Sequence, residues 1–569
     1  MAARCTDRPP AQRRRDRRVK GVDAVAKILQ LEGVEYLFSY PMHPLIEAAS
    51  KLGIRPIIAR SEKTLINIAD GYTRALNGTK PTVVVVQGGP GIENAFGGLA
   101  QAASDGVPMV VIPGGGAARR SGKGEFDPLP TYSHIMKWTG RMNLPERIPE
   151  LMTYAFSQLR NGRLGPVLLE LPVDTANAEA GDPTGVYVPP KAYRSAGSAS
   201  DVAEAARLLM AAKRPVIHAG HGVLWAQAWD ELRELAELLQ IPVMVTMAGK
   251  SAFPEDHPLS LGAGGRTSTK TAAQFLVDSD LIFGVGCSFT EGAFSTPIPP
   301  GKKAVQVVSD NRDINKDYIV THAVIGDAKL VLRQIIDELK KAGAKAPADV
   351  ADRVRAAKNE FLDEWLPRLT ADGTPISPYR VIWDLLHSVD LSNTIVTHDS
   401  GNPRDQTLPF FAVTTPRSYL GWGKSTQLGT GYGVAMGAKL AYPEKLCINI
   451  MGDLAFGTAG MEIETAFRSR LPIMTVLVNN SRLGGYDHYM PVASERFDSN
   501  KLTGDYTAVA KGLGAYAEKV EKPEDVKAAI QRGIQATREG RPVLLEFITR
   551  EEPVFPVAAA MINDLSARG

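Results

Sequence analysis

The stretch Cys447–Gly460, CINIMGDLAFGTAG, runs up an apolar strand, stops on Met-Gly-Asp and opens into the small residues that begin a helix. VLVNN repeats the gesture and reaches Asn480, 27 residues after Asp453. An apolar strand that halts on an oxygen-bearing side chain, with a helix start behind it, belongs in a parallel sheet. There, ligands lie beyond the carboxyl ends of the strands and helix N-termini offer free N–H groups to anions. Other short apolar runs, TVVVVQGG, PMVVIPGG, PVLLELPVD, RPVIHAG, DLIFGVG and AVQVVSD, alternate with helical segments in the same way. Strands that are apolar on both faces, with helices between them, indicate parallel sheets covered on both sides. DVAEAARLLMAAKRP shows one such helix, with Asp201 as cap, Glu204 at the capping-box position and Pro215 just past the end.

At 569 residues the chain exceeds a single core, and a domain size of about 150 residues suggests three or four. Two weakly patterned stretches rich in Pro, Gly and Ala divide it, one around 175–200 and a charged one around 340–377. The expected domains are 19–180, 200–342 and 375–555, preceded by a basic arm, 1–18, expected to be flexible. Apolar residues make up 44% and charged residues 22%, which excludes disorder for most of the chain. The net charge of +3 arises from the arm and the remainder is slightly acidic, so nothing points to a nucleic-acid surface. The arm lacks an apolar core and resembles neither a secretory signal nor a transit peptide, and no run of apolar residues is long enough to span a membrane. Cys5, Cys287 and Cys447 lie far apart without metal-ligand spacing, which makes a reducing cytoplasm the simplest location.

The first and third domains read as copies of one another. A shift of 364 places VVVVQGGPG (Val83–Gly91) on CINIMGDLA (Cys447–Ala455) and Pro108 on Pro472. PVLLELP from Pro166 matches PVLLEFI from Pro542 at a shift of 376, so about twelve residues were gained in an intervening loop. In this pairing Gly89 faces Asp453, and VIPGG stands where the third domain has LVNNS. Metal-binding chemistry is therefore expected in the third copy alone.

A carboxylate and an amide oxygen at adjacent strand ends are hard ligands suited to magnesium, which completes its shell with phosphate and water oxygens. The bland alternative is that Asp453 caps a helix and Asn479–Asn480 form a turn. Gly-Asp followed at this distance by Asn-Asn resembles the thiamine-diphosphate signature of the acetolactate synthase and pyruvate decarboxylase superfamily, with 24 residues between Leu454 and Asn479. The resemblance implies three α/β domains with parallel sheets flanked by helices. The first and third would share the thiamine diphosphate-binding fold and the middle one would be nucleotide-binding-like. It implies that Asp453, Asn480 and the carbonyl of Arg482 hold Mg2+, with Gly452, Leu454 and Ala455 beside the cofactor; Leu454 departs from the family's usual glycine.

ARSEKTLINIADGYTRA resembles the family's helix bearing its glutamate, which implies that Glu62 contacts the cofactor and holds its pyrimidine ring nitrogen. The Gly-rich turn Gly88–Gly91 is similar to the family's pyrimidine-binding domain. HDSGNPRD resembles the loop that meets the diphosphate, making Ser400, Gly401 and Asn402 candidate contacts. KSTQLGTGYGVAMGAKLA resembles the segment that supports the bent cofactor, with Leu428 beneath it and the Thr426 carbonyl meeting the pyrimidine. The resemblance also implies a homodimer or homotetramer with active sites between chains, Glu62 of one protomer completing the site built on Asp453 and Asn480 of another.

For substrate, the expected activity is a C–C bond lyase or carboligase acting on a 2-keto acid or 2-hydroxy carbonyl compound. His43, where the family often has glycine or an acid, is a candidate proton shuttle. His488 follows the metal loop, with Tyr486 and Tyr489 beside it, and ordinary loop residues are the competing reading of all three. Phe126-Asp127 stands in place of the Phe-Gln pair of acetolactate synthase, and Tyr489 in place of its tryptophan, so branched-chain synthesis is doubtful. The middle domain resembles one that holds FAD, an ADP group or nothing, with Gly220, Gly222 and Gly286 lining such a site. A 2-hydroxyacyl-CoA lyase or oxalyl-CoA decarboxylase remains an alternative, resting on Arg119, Arg120 and Lys123. A non-catalytic cofactor-binding protein is a further one.

Overall fold

Apolar strands buried on both faces dominate each of three six-stranded sheets in the computed structural model, which describes residues 18–117, 126–344 and 347–568. The basic arm up to residue 17 and Arg119, Arg120 and Lys123 lie outside the described residues. The chain divides into two compact units, one ending at Tyr193 and one beginning at Arg194.

In the first unit a short antiparallel pair, β1 (Arg18–Lys20) and β8 (Glu179–Gly181), ties the start of the described chain to the end of the domain. The main strands are β2 (Tyr36–Ser39), β3 (Arg55–Ile58), β4 (Val83–Val86), β5 (Val110–Gly115), β6 (Trp138–Arg141) and β7 (Val167–Pro172). They pair in parallel in the order β3-β2-β4-β5-β7-β6. Four helices matter to the site: α1 (Pro44–Ser50), α2 (Glu62–Ala75), α3 (Pro90–Ser104) and α4 (Pro128–Tyr132). Helices α2 and α3 press together at Gly98, where a Cβ would lie 2.8 Å from Ile66 Cβ. A buried ion network pins the same pair. Arg74 bonds Asp70 on its own helix and donates to Asp105 Oδ2 at 2.9 Å, beyond the end of α3. Both acids and the arginine are buried, so removing one partner would leave an uncompensated charge.

The second unit carries two sheets. Its first holds β9 (Pro215–Ala219), β10 (Val243–Thr246), β11 (Ser260–Gly264), β12 (Leu281–Val285), β13 (Lys303–Val308) and β14 (His322–Ile325), in the order β11-β10-β9-β12-β13-β14. That is the doubly wound order of dinucleotide-binding domains, which reverses between β9 and β12. The loops leaving those two strands meet backbone to backbone: a Cβ on Gly220 or Gly222 would collide with Gly286.

The second sheet holds β15 (Thr394–His398), β16 (Tyr419–Leu420), β17 (Leu446–Gly452), β18 (Met474–Asn479), β19 (Tyr516–Val520) and β20 (Val543–Ile548). Its order, β16-β15-β17-β18-β20-β19, repeats strand for strand that of the first unit. The register adjusts the sequence pairing by one residue. Val83 lies opposite Val110, whereas Ile448 lies opposite Met474. With Val110 matched to Met474, Val83 corresponds to Ile448, so Gly88 rather than Gly89 takes the place of Asp453. The net gain of twelve is fourteen more residues between β18 and β19, the stretch that carries Asn480 to Tyr489, less two between β19 and β20.

The two sheets of this unit are bound by polar contacts: Arg266 Nη1 donates to Asp405 Oδ2 at 2.7 Å, and buried Lys250 pairs with Glu255 while donating to Leu408 O at 3.1 Å. The final helix, Ala558–Arg568, returns to the doubly wound domain. There Ser268 donates to Pro556 O at 3.0 Å and Ile562 joins the core. No helix among the described residues is long and apolar enough to cross a membrane.

His218 on β9 is buried beside Phe289, and neither ring nitrogen has a hydrogen-bond partner among the described residues. Burial pulls its pKa from 6.5 down to about 4. The folded state thus binds fewer protons than the unfolded one between those values, and stability falls as pH drops through that window. Its loss between pH 7 and pH 5 should be on the order of 2 kcal/mol. Urea unfolding of His218→Leu at the two pH values is expected to show a correspondingly flatter dependence than the parent; an equal slope in both would refute the assignment.

Candidate active site

In the first unit, α2 begins at Glu62, with Ser61 as cap accepting the Thr64 N–H at 3.2 Å. Placing Glu62 in the first turn sets its carboxylate at the helix N-terminus, where negative charge is favoured. The side chain is 5% exposed. Helix α3 presents Gly91 and Asn94 to it: Asn94 Nδ2 lies 3.5 Å from Glu62 Oε2, and Gly91 leaves room for Oε1.

A cavity of about 510 Å³ opens at the carboxyl ends of β4, β5 and β7, lined in part by Gln87, Gly88, Gly114, Phe126 and Glu170. Glycines let the strand tips close its floor, since a Cβ on Gly88 would strike the Gly114 carbonyl. Glu170 is paired with Arg141, which also donates to Asp127 Oδ1 at 2.8 Å. Burial raises the Glu170 carboxyl and Arg141 opposes that rise. Asp127 in turn caps α4 by accepting the Leu129 N–H at 3.1 Å. His43, the cap of α1, is buried against Gly114.

In the second unit four elements converge on one edge of the repeated sheet. They are α5 (Asn402–Thr407) after β15, α6 (Thr430–Ala441) after β16, α7 (Asp453–Ala459) after β17, and the turn after β18. Asp453, 4% exposed, accepts the Leu454 N–H at 2.8 Å through Oδ1. Its Oδ2 is buried and makes no hydrogen bond among the described residues. Burial pushes this carboxyl above its ordinary range, while the N–H groups of Leu454, Ser481 and Arg482 oppose the rise. The Arg482 N–H donates to Asn480 Oδ1 at 3.1 Å. The same N–H thus bonds the Asn480 amide oxygen and favours the charged form of the Asp453 carboxyl. Asn479 is structural: buried, it donates to Glu546 Oε1 at 2.8 Å and accepts the Ser481 N–H at 2.8 Å, fixing the turn. No group of three or more His, Cys, Asp or Glu side chains among the described residues could hold a metal. Any cation here would need amide, carbonyl and exogenous oxygens.

Ser400 Oγ donates to the Thr426 carbonyl at 2.8 Å, tying the loop after β15 to the segment that carries Leu428. Leu428 is half-buried just before α6. Asn402 lies against Gly484, where a side chain would collide with its Nδ2, and Asn480 borders the same glycine. Gly401 has φ 88°, a left-handed conformation that suits glycine. Ser400, Gly401, Asn402, Thr426, Leu428, Gly452, Asp453, Leu454, Ala455, Asn480 and Arg482 thus share one edge of this sheet. His488 does not join them in a pocket: it is exposed on a turn with Tyr486 and Tyr489.

Sequence reasoning passed over Asp399. Fully buried, its carboxylate accepts three backbone N–H groups, from Ser400 at 2.8 Å and from Gly429 and Gly431 at 2.9 Å each. It clamps the start of α6 to the tip of β15. The signal was present, because TIVTHD is another apolar strand that ends on an acid. Asn94, beside Glu62, had no comparable signal.

Three family models match the chain in succession. They are the N-terminal TPP binding domain of thiamine pyrophosphate enzymes over 19–135, the central domain over 202–335 and the C-terminal TPP binding domain over 399–547. A probable acetolactate synthase large subunit of Methanocaldococcus jannaschii is 31% identical over 560 residues, 95% of this chain and 93% of that protein. The acetolactate synthase isozyme 3 large subunit of Escherichia coli is 27% identical over 95% of this chain and 96% of its own length. A glyoxylate carboligase of Escherichia coli O157:H7 is 29% identical over 93% of each chain.

Asp399→Ala would strand three buried N–H donors, at an expected cost on the order of 3 kcal/mol. Hydrogen exchange should quicken first at Gly429 and Gly431; unaltered protection of both amides in the variant would contradict the clamp.

Proposed function

The chain belongs to the acetolactate synthase-like thiamine pyrophosphate enzymes, and from that membership we propose a magnesium-dependent C–C bond lyase or carboligase for 2-keto acids or 2-hydroxy carbonyl compounds. One observation carries the magnesium part of this reading. The buried Asp453 Oδ2 has no partner among the described residues, and the Arg482 N–H that Asn480 Oδ1 accepts also favours the charged form of the Asp453 carboxyl. A bare carboxylate oxygen in a buried position is costly unless something positive meets it. Asp453, Asn480 and the Arg482 carbonyl would offer hard oxygens to Mg2+, leaving the remaining positions to diphosphate and water.

When bound, thiamine diphosphate supplies the nucleophilic carbon and the electron sink that making or breaking a bond beside a carbonyl requires. The chain's residues would position it. Glu62, held by Asn94 and the first turn of α2, would share a proton with the pyrimidine ring nitrogen. Ser400, Gly401 and Asn402 would meet the diphosphate, and Leu428 would fill the space beneath the rings. The enzyme would act as a homodimer or homotetramer with sites between chains, in the cytoplasm. Cys287 and Cys447, both free and buried, suit that compartment. Gly220, Gly222 and Gly286 are accounted for by packing on each other, so they lend a flavin no separate support, and FAD is not part of this proposal.

Glu62→Gln is expected to lower turnover of pyruvate or glyoxylate by at least about 100-fold while retaining thiamine diphosphate in equilibrium dialysis. Full activity in the variant would remove Glu62 from catalysis, and a parent with cofactor bound but no turnover would favour a binding protein. Asp453→Asn should weaken Mg2+-dependent cofactor binding by at least about tenfold, read by the same dialysis with and without the metal. Undiminished binding would clear Asp453 of a ligand role.

A further inference from the structure

Two walls of the first-unit cavity come from separate parts of the chain. Glu170 and Leu171 supply one from β7, while Phe126 and Pro128 supply the other, on either side of Asp127 at the start of α4. Arg141 does not line the cavity, yet it is bonded to both walls. In the parallel register of β6 and β7 it lies opposite Glu170; its Nε pairs with that carboxylate while Nη2 donates to Asp127 Oδ1 at 2.8 Å. A guanidinium presents its donors in a rigid planar fork, so one side chain fixes the spacing of two acids.

The two strands do not need this fork. A backbone ladder joins Trp138–Arg141 to Val167–Glu170, and the Met142 N–H continues it to the Glu170 carbonyl at 2.9 Å. The start of α4 has no such ladder. Among the described residues its polar tie to the sheet is the Asp127–Arg141 bond, and the far end of α4 is tied by the Tyr132 hydroxyl to the Ile92 carbonyl on α3. Asp127 also accepts the Leu129 N–H at 3.1 Å, so the acid that Arg141 holds is the one that starts the helix. Glu170 is buried, and its carboxyl rests on Gly115, where a Cβ would stand 2.5 Å from Oε1. A buried carboxylate without a counter-charge is costly. Among the described residues Arg141 and Asp127 are the charged groups that face it, and Asp127 only adds like charge.

The cavity adjoins the carboxyl group expected to hold the cofactor. Gln87 lines it and stands beside Gly91, where a Cβ would be 2.9 Å from Gln87 Cβ and 3.7 Å from Glu62 Oε1. His43, expected from the sequence to shuttle protons, does not line it: Nδ1 accepts the Leu45 N–H at 3.2 Å, which puts the neutral ring's proton on a buried Nε2.

We propose that Arg141 is a positioning residue for substrate: by bridging Asp127 and Glu170 it sets Phe126 and Pro128 against β7 and fixes the width of the cavity that receives the carbonyl compound, without touching it. The substrate class rests on the carboligase or lyase reading. Loss of the fork has a signature that mere loss of stability lacks. In Arg141→Met the two acids face each other without a counter-charge, and their repulsion displaces the start of α4 whenever both are ionised. Burial and Asp127 favour a proton on Glu170, which removes that repulsion. The wall should therefore recover at low pH and fail as pH rises through the raised Glu170 pKa.

The experiment uses the full chain with thiamine diphosphate and Mg2+, as the parent, Arg141→Met, Arg141→Lys and Arg141→Met combined with Glu170→Gln. At about pH 8, KM for pyruvate or glyoxylate should rise at least about tenfold in Arg141→Met with kcat changed less, and the rise should shrink toward about pH 5.5. Lysine restores the charge without the fork, so Arg141→Lys should lose the pH dependence and keep a raised KM. The double variant should also be independent of pH, with KM nearer the parent's than that of Arg141→Met. A parent-like KM in Arg141→Met, or a rise that is equal at both pH values and persists in the double variant, would overturn the proposal.

Amide exchange reads the same contact without turnover. The Leu129 N–H should exchange faster in Arg141→Met and Arg141→Lys, while the Met142 N–H keeps its protection. Unchanged exchange at Leu129 would show that α4 stands without Arg141 and would refute the assignment. Should the methionine variant not fold, KM and Leu129 exchange in Arg141→Lys carry the test. If the parent turns over neither compound with thiamine diphosphate, the functional reading fails, and exchange at Leu129 still decides what Arg141 holds.

Discussion

Within each six-stranded sheet every strand runs parallel to its neighbours, and that constraint arranges everything else in the molecule. Strand tips, loops and helix starts fall on one edge, where peptide groups leave the ladder and need new partners. In the third sheet Asp399 meets the need with three backbone N–H groups, and Asn479 does so by bracing the turn that carries Asn480. With those groups satisfied, Asp453 Oδ2 is left over on the same edge. The site is what remains after the backbone has been paired.

The two copies of the thiamine-binding fold spend this edge differently, and backbone spacing explains why. In the first copy Gly88 takes the place of Asp453, and the Gly114 carbonyl stands where its Cβ would go. No carboxylate can be housed there. The space opens instead into a cavity, with Glu170 neutralised by Arg141 in its wall. The third copy carries its extra residues between β18 and β19, the stretch that begins with Asn480. At both edges glycines allow neighbouring backbones to approach closely, as at Gly88 against the Gly114 carbonyl and Gly431 against the His398 carbonyl.

Much of this could be read from the chain itself. The alternation of apolar runs and helices, the 364 and 376 shifts and the acid at the end of CINIMG were sufficient for the sheets, the duplication and the position of Asp453. The register of β4 was missed by one residue because VVVV has no feature that distinguishes one valine from the next. Asp399 ends the apolar strand TIVTH as Asp453 ends its own, but the clamp it makes depends on N–H groups about thirty residues away at Gly429 and Gly431, which only the folded chain brings to it. The return of Ala558–Arg568 to the doubly wound domain was equally invisible, since an amphipathic helix does not name the surface it covers.

The chain by itself determined which strands exist, which way they run and which side chains end them, because side-chain periodicity and turn chemistry act over a few residues. Tertiary structure alone decided the state of those side chains. It fixed the tautomer of His43 by a helix cap, left one oxygen of Asp453 without a partner, and placed His488 on an exposed turn. Such properties depend on burial and on donors brought from distant parts of the sequence, and these have no value until the chain has folded around them.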